Sequence, residues 1–496
     1  MSCQRDGLPE PIALAGADHQ KTPGGIGGPE PSDLKSQISD MRGDLRGNFE
    51  EIPSLPEQTP AKARSGFAVQ RGKNSTKWQR HFVDTQGLPE LLAPAGGMSQ
   101  LKAAIHFGAD AVYGGLQRFG LRAFAGNFTE ETLPQAVKIC HGAGKKFYLT
   151  LNIFPFDEDF DGLLSAARFA FDCGVDAAIV SDLGAVLALR ETLPQLPLHI
   201  STQANTLNSR AAAFYYGLGA ERVILAREMT LEQIAVLRKN VPPELQIEAF
   251  VHGAACMSYS GRCLLSNYMT GRGANQGACA QPCRWRYHVV EEKRPGEYFP
   301  VYEDANGTYI FSAQDINALA LLPQLMDAGV SSLKIEGRMK TEYYVATVVS
   351  AYRRGLDALS RGRDAFDALL PGLETELNKA SHRPGSTGFF LGAPKVCGGA
   401  EGFTQSMEYV ARVLSNAKPG EAATVELKNR FYAGDALEVL TPAGSHAYVP
   451  NAIQLAGTGE LVQTHGVAGT LLKMTFPFVV SEGDIVRGPT RNHAST

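Results

Sequence analysis

Four of the chain's eight cysteines fall in one short stretch, CMSYSGRCLLSNYMTGRGANQGACAQPC, as Cys256, Cys263, Cys279 and Cys283. The other four, Cys3, Cys140, Cys173 and Cys397, stand singly. In a reducing cytosol, clustered thiols are metal or cluster ligands rather than disulfides, and a chain of 496 residues with 44% hydrophobic content can bury a core without covalent staples. The spacing is Cys-x6-Cys-x15-Cys-x3-Cys. Structural zinc usually takes its thiolates from two short C-x2-4-C pairs, and only Cys279 and Cys283 comply. A cubane iron-sulfur cluster is wider and tolerates longer separations, so the spacing favours a cluster and leaves zinc open. If the last turn is helical, Cys279 and Cys283 share one face.

The same stretch is basic. Between Cys256 and Tyr287 there is no Asp or Glu, while Arg262, Arg272, Arg284 and Arg286 are present, on a chain whose net charge is -4. That net charge argues against coating nucleic acid by bulk positive charge. The local excess reads either as a solvated loop or as an anion site, since guanidinium forks pair with carboxylate and phosphate and offset a thiolate cluster's charge. Tyr259, Tyr268 and Trp285 lie among the arginines. Stacking on RNA bases is one use for them, but the residues alone favour burial in a core.

These groups need a scaffold. From Glu90 onward, short β-rich runs alternate with helix-length amphipathic segments: ELLAPAG, ADAVYGG, KKFYLTLNIF, DAAIVSD, PLHISTQ, RVILARE, IEAFVHG and, much later, SLKIEGR. Glycine precedes several of them, in FGADAVY, CGVDAAIV, GLGAERVIL and AGVSSLKI, where it ends a helix before a buried strand. Eight such units predict an α/β fold of the TIM type, a (β/α)8 barrel over residues 88–400. A doubly wound sheet would want GxGxxG after the first strand, and APAGGMSQ does not supply it.

In a barrel, chemistry sits at the C-terminal ends of the strands. There the sequence places Tyr113, Asn152, Asp182, Gln203 with Asn205, Arg227 with Glu228, His252, and Glu336 with Arg338. His252, Glu336 and Arg338 are the catalytic candidates. Arg227, Arg262, Arg272, Arg284 and Arg286 are the substrate-binding ones, with Arg227 and Arg338 alternatively paired to Glu228 and Glu336. The cysteine segment follows strand seven directly and forms an insertion, about 254–330, on this face.

Residues 1–87 hold eight prolines before position 61 and a single aromatic, Phe49, before Phe67, and are expected to be a disordered extension without a secretory signal. Residues 401–496 read as short glycine-punctuated strands, a small β-barrel domain. No apolar run reaches the ~18 residues of a membrane span, so a soluble, cytoplasmic protein is expected.

EAFVHGAACMSYSGRCLLS, Glu248 to Ser266, resembles the signature of the collagenase-like "U" peptidase family, of unknown catalytic type. The resemblance runs from ELLAPAG through NQGACAQPCRWRY, GTYIFSAQD and SLKIEGRMKTEYY to ELKNRFYAGDALEVLTP, about 400 residues. It implies a [4Fe-4S] cluster on Cys256, Cys263, Cys279 and Cys283, loaded by iron-sulfur assembly machinery. It also implies RNA chemistry: the branch it is most similar to makes 5-hydroxyuridine at the wobble position of the tRNA anticodon in a prephenate-dependent pathway. Relatives hydroxylate a ribosomal cytidine or serve oxygen-independent ubiquinone synthesis. Prephenate carries two carboxylates, for which Arg227, Arg262 and Arg338 are candidates. A peptidase would instead need a nucleophile with its base. HExxH and GxSxG are absent, and the one thiol and imidazole pair is Cys256 with His252, a histidine that suits an orienting role better. An RNA-binding scaffold with structural zinc is the remaining alternative.

Overall fold

The computed structural model describes residues 87–122, 125–256, 258–285, 314–392 and 404–491, with four two-residue strands between 289 and 308. The expected extension therefore lies, Gly87 apart, outside the described residues.

Eight parallel strands close into a barrel. They are β1 (Glu90–Pro94), β2 (Ala111–Gly115), β3 (Lys146–Leu151), β4 (Ala177–Val180), β5 (Leu198–Ile200), β6 (Arg222–Ile224), β7 (Gln246–Ala254) and β9 (Ser332–Ile335), with β8 (Asp315–Asn317) between the last two in sequence. Closure is made by β9, whose Ser332 stands opposite Glu90 on one side and Glu248 on the other. The alternation of strand side chains explains why these segments read as almost continuously apolar. Outward residues such as Leu91, Val112, Leu149, Val223, Ile247 and Leu333 pack on the helices, while Leu92, Tyr113, Tyr148, Ile179, Ile224 and Phe250 form a second apolar layer inside the barrel. Full burial of each large apolar chain stabilises by about 1.5–3 kcal/mol. The glycines that signalled helix ends, Gly108, Gly174, Gly219 and Gly329, have φ of 98°, 86°, 92° and 83°, a conformation that costs other residues about 1–2 kcal/mol.

The region after β7 differs from the expected insertion of about 254–330. β8 pairs antiparallel with the end of β7, Asn317 opposite His252, and the helix Leu322–Asp327 follows. Residues 315–327 thus belong to the barrel wall, and the inserted lobe is shorter.

The C-terminal strands form an antiparallel eight-stranded sheet with its own core of Val410, Val425, Val439, Leu472, Met474 and Val486. This is the small C-terminal β domain expected from the sequence; among the described strands none joins the sheet's two ends, Gly444–Tyr448 and Leu461–Val462. It docks on the barrel's helices Glu342–Leu359 and Arg363–Leu377 through charge. Arg487, fully buried, pairs with Glu376 and, at 2.7 Å, with Glu438, and the Tyr409 hydroxyl donates to Glu342 at 2.6 Å. Among the described residues no helix is long and apolar enough to cross a membrane.

Candidate active site

The C-terminal mouth of the barrel holds a cavity of about 490 Å3, counting its open entrance. Its floor is the apolar layer of Tyr113, Ile179, Ile224 and Phe250; its wall is polar, with Thr150, Asn152, Ser201 and Gln203 at successive strand ends. Charge is contributed by Arg122, Arg227, Lys334, Glu336 and Arg338.

Glu336 is the single carboxylate among three guanidinium groups. Its Oε2 accepts from Arg227 Nη2 at 3.0 Å, and its Oε1 lies 3.7 Å from Arg122 Nη2. Burial pushes its carboxyl pKa up, but Arg122, Arg227, Arg338 and Lys334 outweigh that and hold it below the ordinary range. The Arg227 guanidinium also stacks 4.0 Å from the Phe250 ring centroid. Arg338 makes no pair with Glu336. Its Nη1 donates to Thr150 Oγ1 at 2.9 Å and its Nη2 to Asn127 Oδ1, and burial lowers its pKa to about 10. Arg227 Nε and Arg338 Nε are buried and, among the described residues, have no acceptor. Tyr113, its phenol pKa raised first by burial and then by Glu336, donates to the Ile335 carbonyl at 2.9 Å.

Of the catalytic candidates, the structure brings Glu336 and Arg338 to the cavity and leaves His252 outside it. Alternation from Glu248 and Phe250 would aim residue 252 inward, but the β7 register against β9 slips between Lys334, opposite Phe250, and Ile335, opposite His252. This bulge resets the phase. The His252 ring therefore packs against Tyr344 and Tyr352, with Nδ1 3.4 Å from the Tyr352 hydroxyl, and burial, aided by His382 and Lys340, lowers its pKa to about 3. A neutral histidine on the outer side of the strand is no base for a thiol at the mouth. Three more strand-end residues do structural work: Asp182 caps a helix by accepting from Ala185 N at 2.9 Å, Asn205 takes a left-handed turn, and Glu228 accepts from Ser260 N at 3.0 Å rather than pairing Arg227.

The cysteine lobe is fastened to the cavity's rim. Besides the Ser260 bond, Phe154 N donates to the Asn275 carbonyl at 3.1 Å. Gly261, at φ 74°, lies so close to the backbone of Gln203, a cavity residue, that a Cβ there would stand 2.1 Å from its carbonyl oxygen. Cys256 is exposed and Cys263, Cys279 and Cys283 half-buried. The expected shared helical face is not formed, because Gln281 is left-handed and a 3-10 turn, Pro282–Arg284, begins only after it. Cys279 Sγ accepts from Gln281 N at 3.4 Å. Arg122, its pKa raised chiefly by Glu336, also feels Cys279 and Cys256, which places two of the thiols within electrostatic reach of the cavity. By donor type the four thiols suit a thiolate-ligated cluster or zinc. Among the described residues, though, no three His, Cys, Asp or Glu side chains converge as a metal shell.

Arg262 and Arg272 lie exposed on the lobe, the latter with Nε donating to the Ala278 carbonyl at 2.9 Å, and neither lines the cavity. Arg284 sits in the Pro282–Arg284 turn with its side chain outside the described residues, and Arg286 lies outside them altogether. Tyr259, Tyr268 and Trp285, for which burial was the favoured reading, are exposed. Arg122, Asn127 and Lys334 were missed. The first two lie in an irregular glycine-rich loop after β2 that carries no periodic signal. Lys334, by contrast, was findable as a charge inside the buried strand SLKI.

Residues 96–398 match peptidase family U32 and residues 405–487 match the C-terminal domain of that family. The chain is 38% identical to "tRNA hydroxylation protein P" of Escherichia coli over 72% of its own length and 87% of that protein. It is likewise 38% identical to "tRNA hydroxylation protein P1" of Bacillus subtilis, over 71% and 84%. It is 37% identical to the "Collagenase" of Porphyromonas gingivalis, over 55% and 66%. The solved structure of the U32 peptidase Mk0906 overlaps 50% of this chain and 94% of its own at 14% identity and a TM-score of 0.34. With both domains matched in order across the barrel and the sheet that docks on it, the chain belongs to peptidase family U32.

Proposed function

We propose that the protein is an RNA hydroxylase that converts the wobble uridine of a tRNA anticodon to 5-hydroxyuridine, with a [4Fe-4S] cluster on Cys256, Cys263, Cys279 and Cys283 and prephenate as co-substrate. The observation that carries the reading is the mouth of the barrel, where three guanidinium groups face one carboxylate beside a lobe that carries four cysteines. The relatives named for tRNA hydroxylation support the RNA substrate. The placement of His252 speaks against a thiol peptidase built on Cys256.

The reaction replaces a C5–H bond of the base by C5–OH, a two-electron oxidation in which, with water as the oxygen source, two protons leave and two electrons pass to an external acceptor. A bound cluster would supply one-electron redox chemistry beside the cavity. The chain's own residues bind and orient. Arg227 and Arg338, each with a buried Nε lacking an acceptor, seat the two carboxylates of prephenate. Glu336, kept ionised by the cations around it, is the acceptor available for the proton released at C5. Tyr113, Ile224 and Phe250 close the floor against water.

Mass spectrometry of tRNA nucleosides tests this directly: a strain lacking the gene should lose 5-hydroxyuridine and its derivatives and regain them with the wild-type chain. Unchanged nucleosides in the deletion strain would remove the proposal. Cys263→Ser should still fold, because the lobe is remote from the barrel core. It should lose iron and the broad absorption near ~400 nm that marks a cubane, and fail to restore 5-hydroxyuridine. One equivalent of zinc without sulfide in anaerobically purified protein would reassign the thiols to a structural site.

A further inference from the structure

The cysteine lobe is more than a ligand holder. It gathers exposed apolar and aromatic side chains in one short segment: Leu264 is 71% and Tyr268 84% exposed, and Tyr259, Met269 and Trp285 are exposed with them. Leu264 and Tyr268 are four residues apart, with Tyr268 N donating to the Leu264 carbonyl at 2.9 Å, so the two share one face. The helix Leu265–Thr270 packs on the turn Pro282–Arg284, which puts Trp285 on the neighbouring element. Such aromatic exposure costs solvation and is uncommon without an occupant.

The surroundings say which occupant. From Cys256 to Tyr287 the chain has no acidic residue, and Arg262 and Arg272 are exposed beside the aromatics. A protein partner would be expected to meet at least some charge of both signs, whereas a polyanion with flat apolar faces meets only what is here. We infer that the lobe is a stacking platform for the unpaired bases of an RNA loop, Tyr268 and Trp285 taking base faces and Arg262 a phosphate. The inference rests on the hydroxylase reading and assigns its RNA contact. Position supports it: Ser260 and Gly261 join the lobe to Glu228 and Gln203 at the cavity's rim, so one base of a loop held on the platform can be swung into the cavity while its neighbours stay stacked.

The full chain carrying Trp78→Phe leaves Trp285 as the only tryptophan of the two. Titration with an unmodified anticodon stem-loop should quench its emission, and a fully paired duplex of the same strand should not. Tyr268→Ala should weaken stem-loop binding about 5- to 100-fold, and Tyr268→Phe should restore it, both with an unaltered salt slope because stacking releases no counterion. Arg262→Ala should reduce that slope by about one. If Tyr268→Ala binds like wild type, or the duplex quenches equally, the platform is wrong; when the wild-type chain still binds tRNA and restores 5-hydroxyuridine, the hydroxylase reading survives that failure. If the wild-type chain binds no RNA, both fall. Self-association that Tyr268→Ala abolishes, with RNA binding untouched, hands the surface to a second copy and overturns the inference.

Discussion

The barrel carries buried charge at both ends, and the two ends are built to opposite specifications. At the base, Arg222 Nη1 donates to Glu90 at 2.6 Å and Glu248 at 2.8 Å, its Nε and Nη2 are taken by Gln246, and Lys334 Nζ closes on Glu248 at 2.8 Å. Two carboxylates meet two cations, and Tyr148 completes Glu90 at 2.7 Å. At the mouth, Arg122 and Arg227 share the one carboxylate of Glu336 while Arg338 is held by Thr150 and Asn127, a surplus of two positive charges with, among the described residues, two guanidinium Nε atoms without acceptors. The same residue types thus make a staple where the charges balance and a receptor where they do not. Lys334, which both pairs with Glu248 and lines the cavity, marks the border.

Breaking the balanced end should have the larger effect. Glu248→Gln leaves Arg222 and Lys334 facing Glu90 alone in a fully buried site, and should cost about 3–5 kcal/mol of stability in urea unfolding. A loss below about 1 kcal/mol would mean that the base is not held by charge. At the mouth, Arg227→Gln should leave stability nearly intact, since Glu336 keeps Arg122, yet weaken prephenate binding by about 10- to 100-fold in calorimetry. The reverse change sharpens the contrast. Glu336→Gln raises the surplus to three, so it should bind prephenate at least as tightly as wild type while losing turnover, and weaker binding would refute the receptor reading.

The smallest effect belongs to a group at neither end. His252 has a folded pKa of about 3 against an ordinary 6.5. Between those values the unfolded chain binds a proton that the folded chain refuses. Stability should therefore fall as pH drops from 6.5 towards 3, by about 1.4 kcal/mol per pH unit. His252→Asn should flatten that dependence without changing prephenate affinity. A changed affinity would bring the histidine back to the site.

Much of this was legible. Eight β-rich runs, several of them entered through a helix-ending glycine, are enough to specify a barrel, because both the alternation of strand side chains and the left-handed turn are local properties. Glu336, Arg338 and Arg227 were legible as strand-end charges for the same reason. What failed was whatever depends on a partner strand or a distant loop. His252 stood as a candidate for its place at the end of a strand, and the bulge opposite Ile335 that turns it outward is a relation between β7 and β9. Arg122 comes from a loop without periodicity, and its partner, Glu336, is more than two hundred residues away.

Sequence by itself determined which groups exist: the strands and the charges at their ends, the four thiols in one segment, and the absence of acid around them. Only the tertiary structure decided which charges cancel. Coulomb interactions act over a few ångströms and grow in a desolvated interior, so the fate of Glu248 and Glu336, two glutamates on neighbouring strands of one barrel, depends on whether the cations brought beside each by the closing of β9 against β7 equal it or outnumber it.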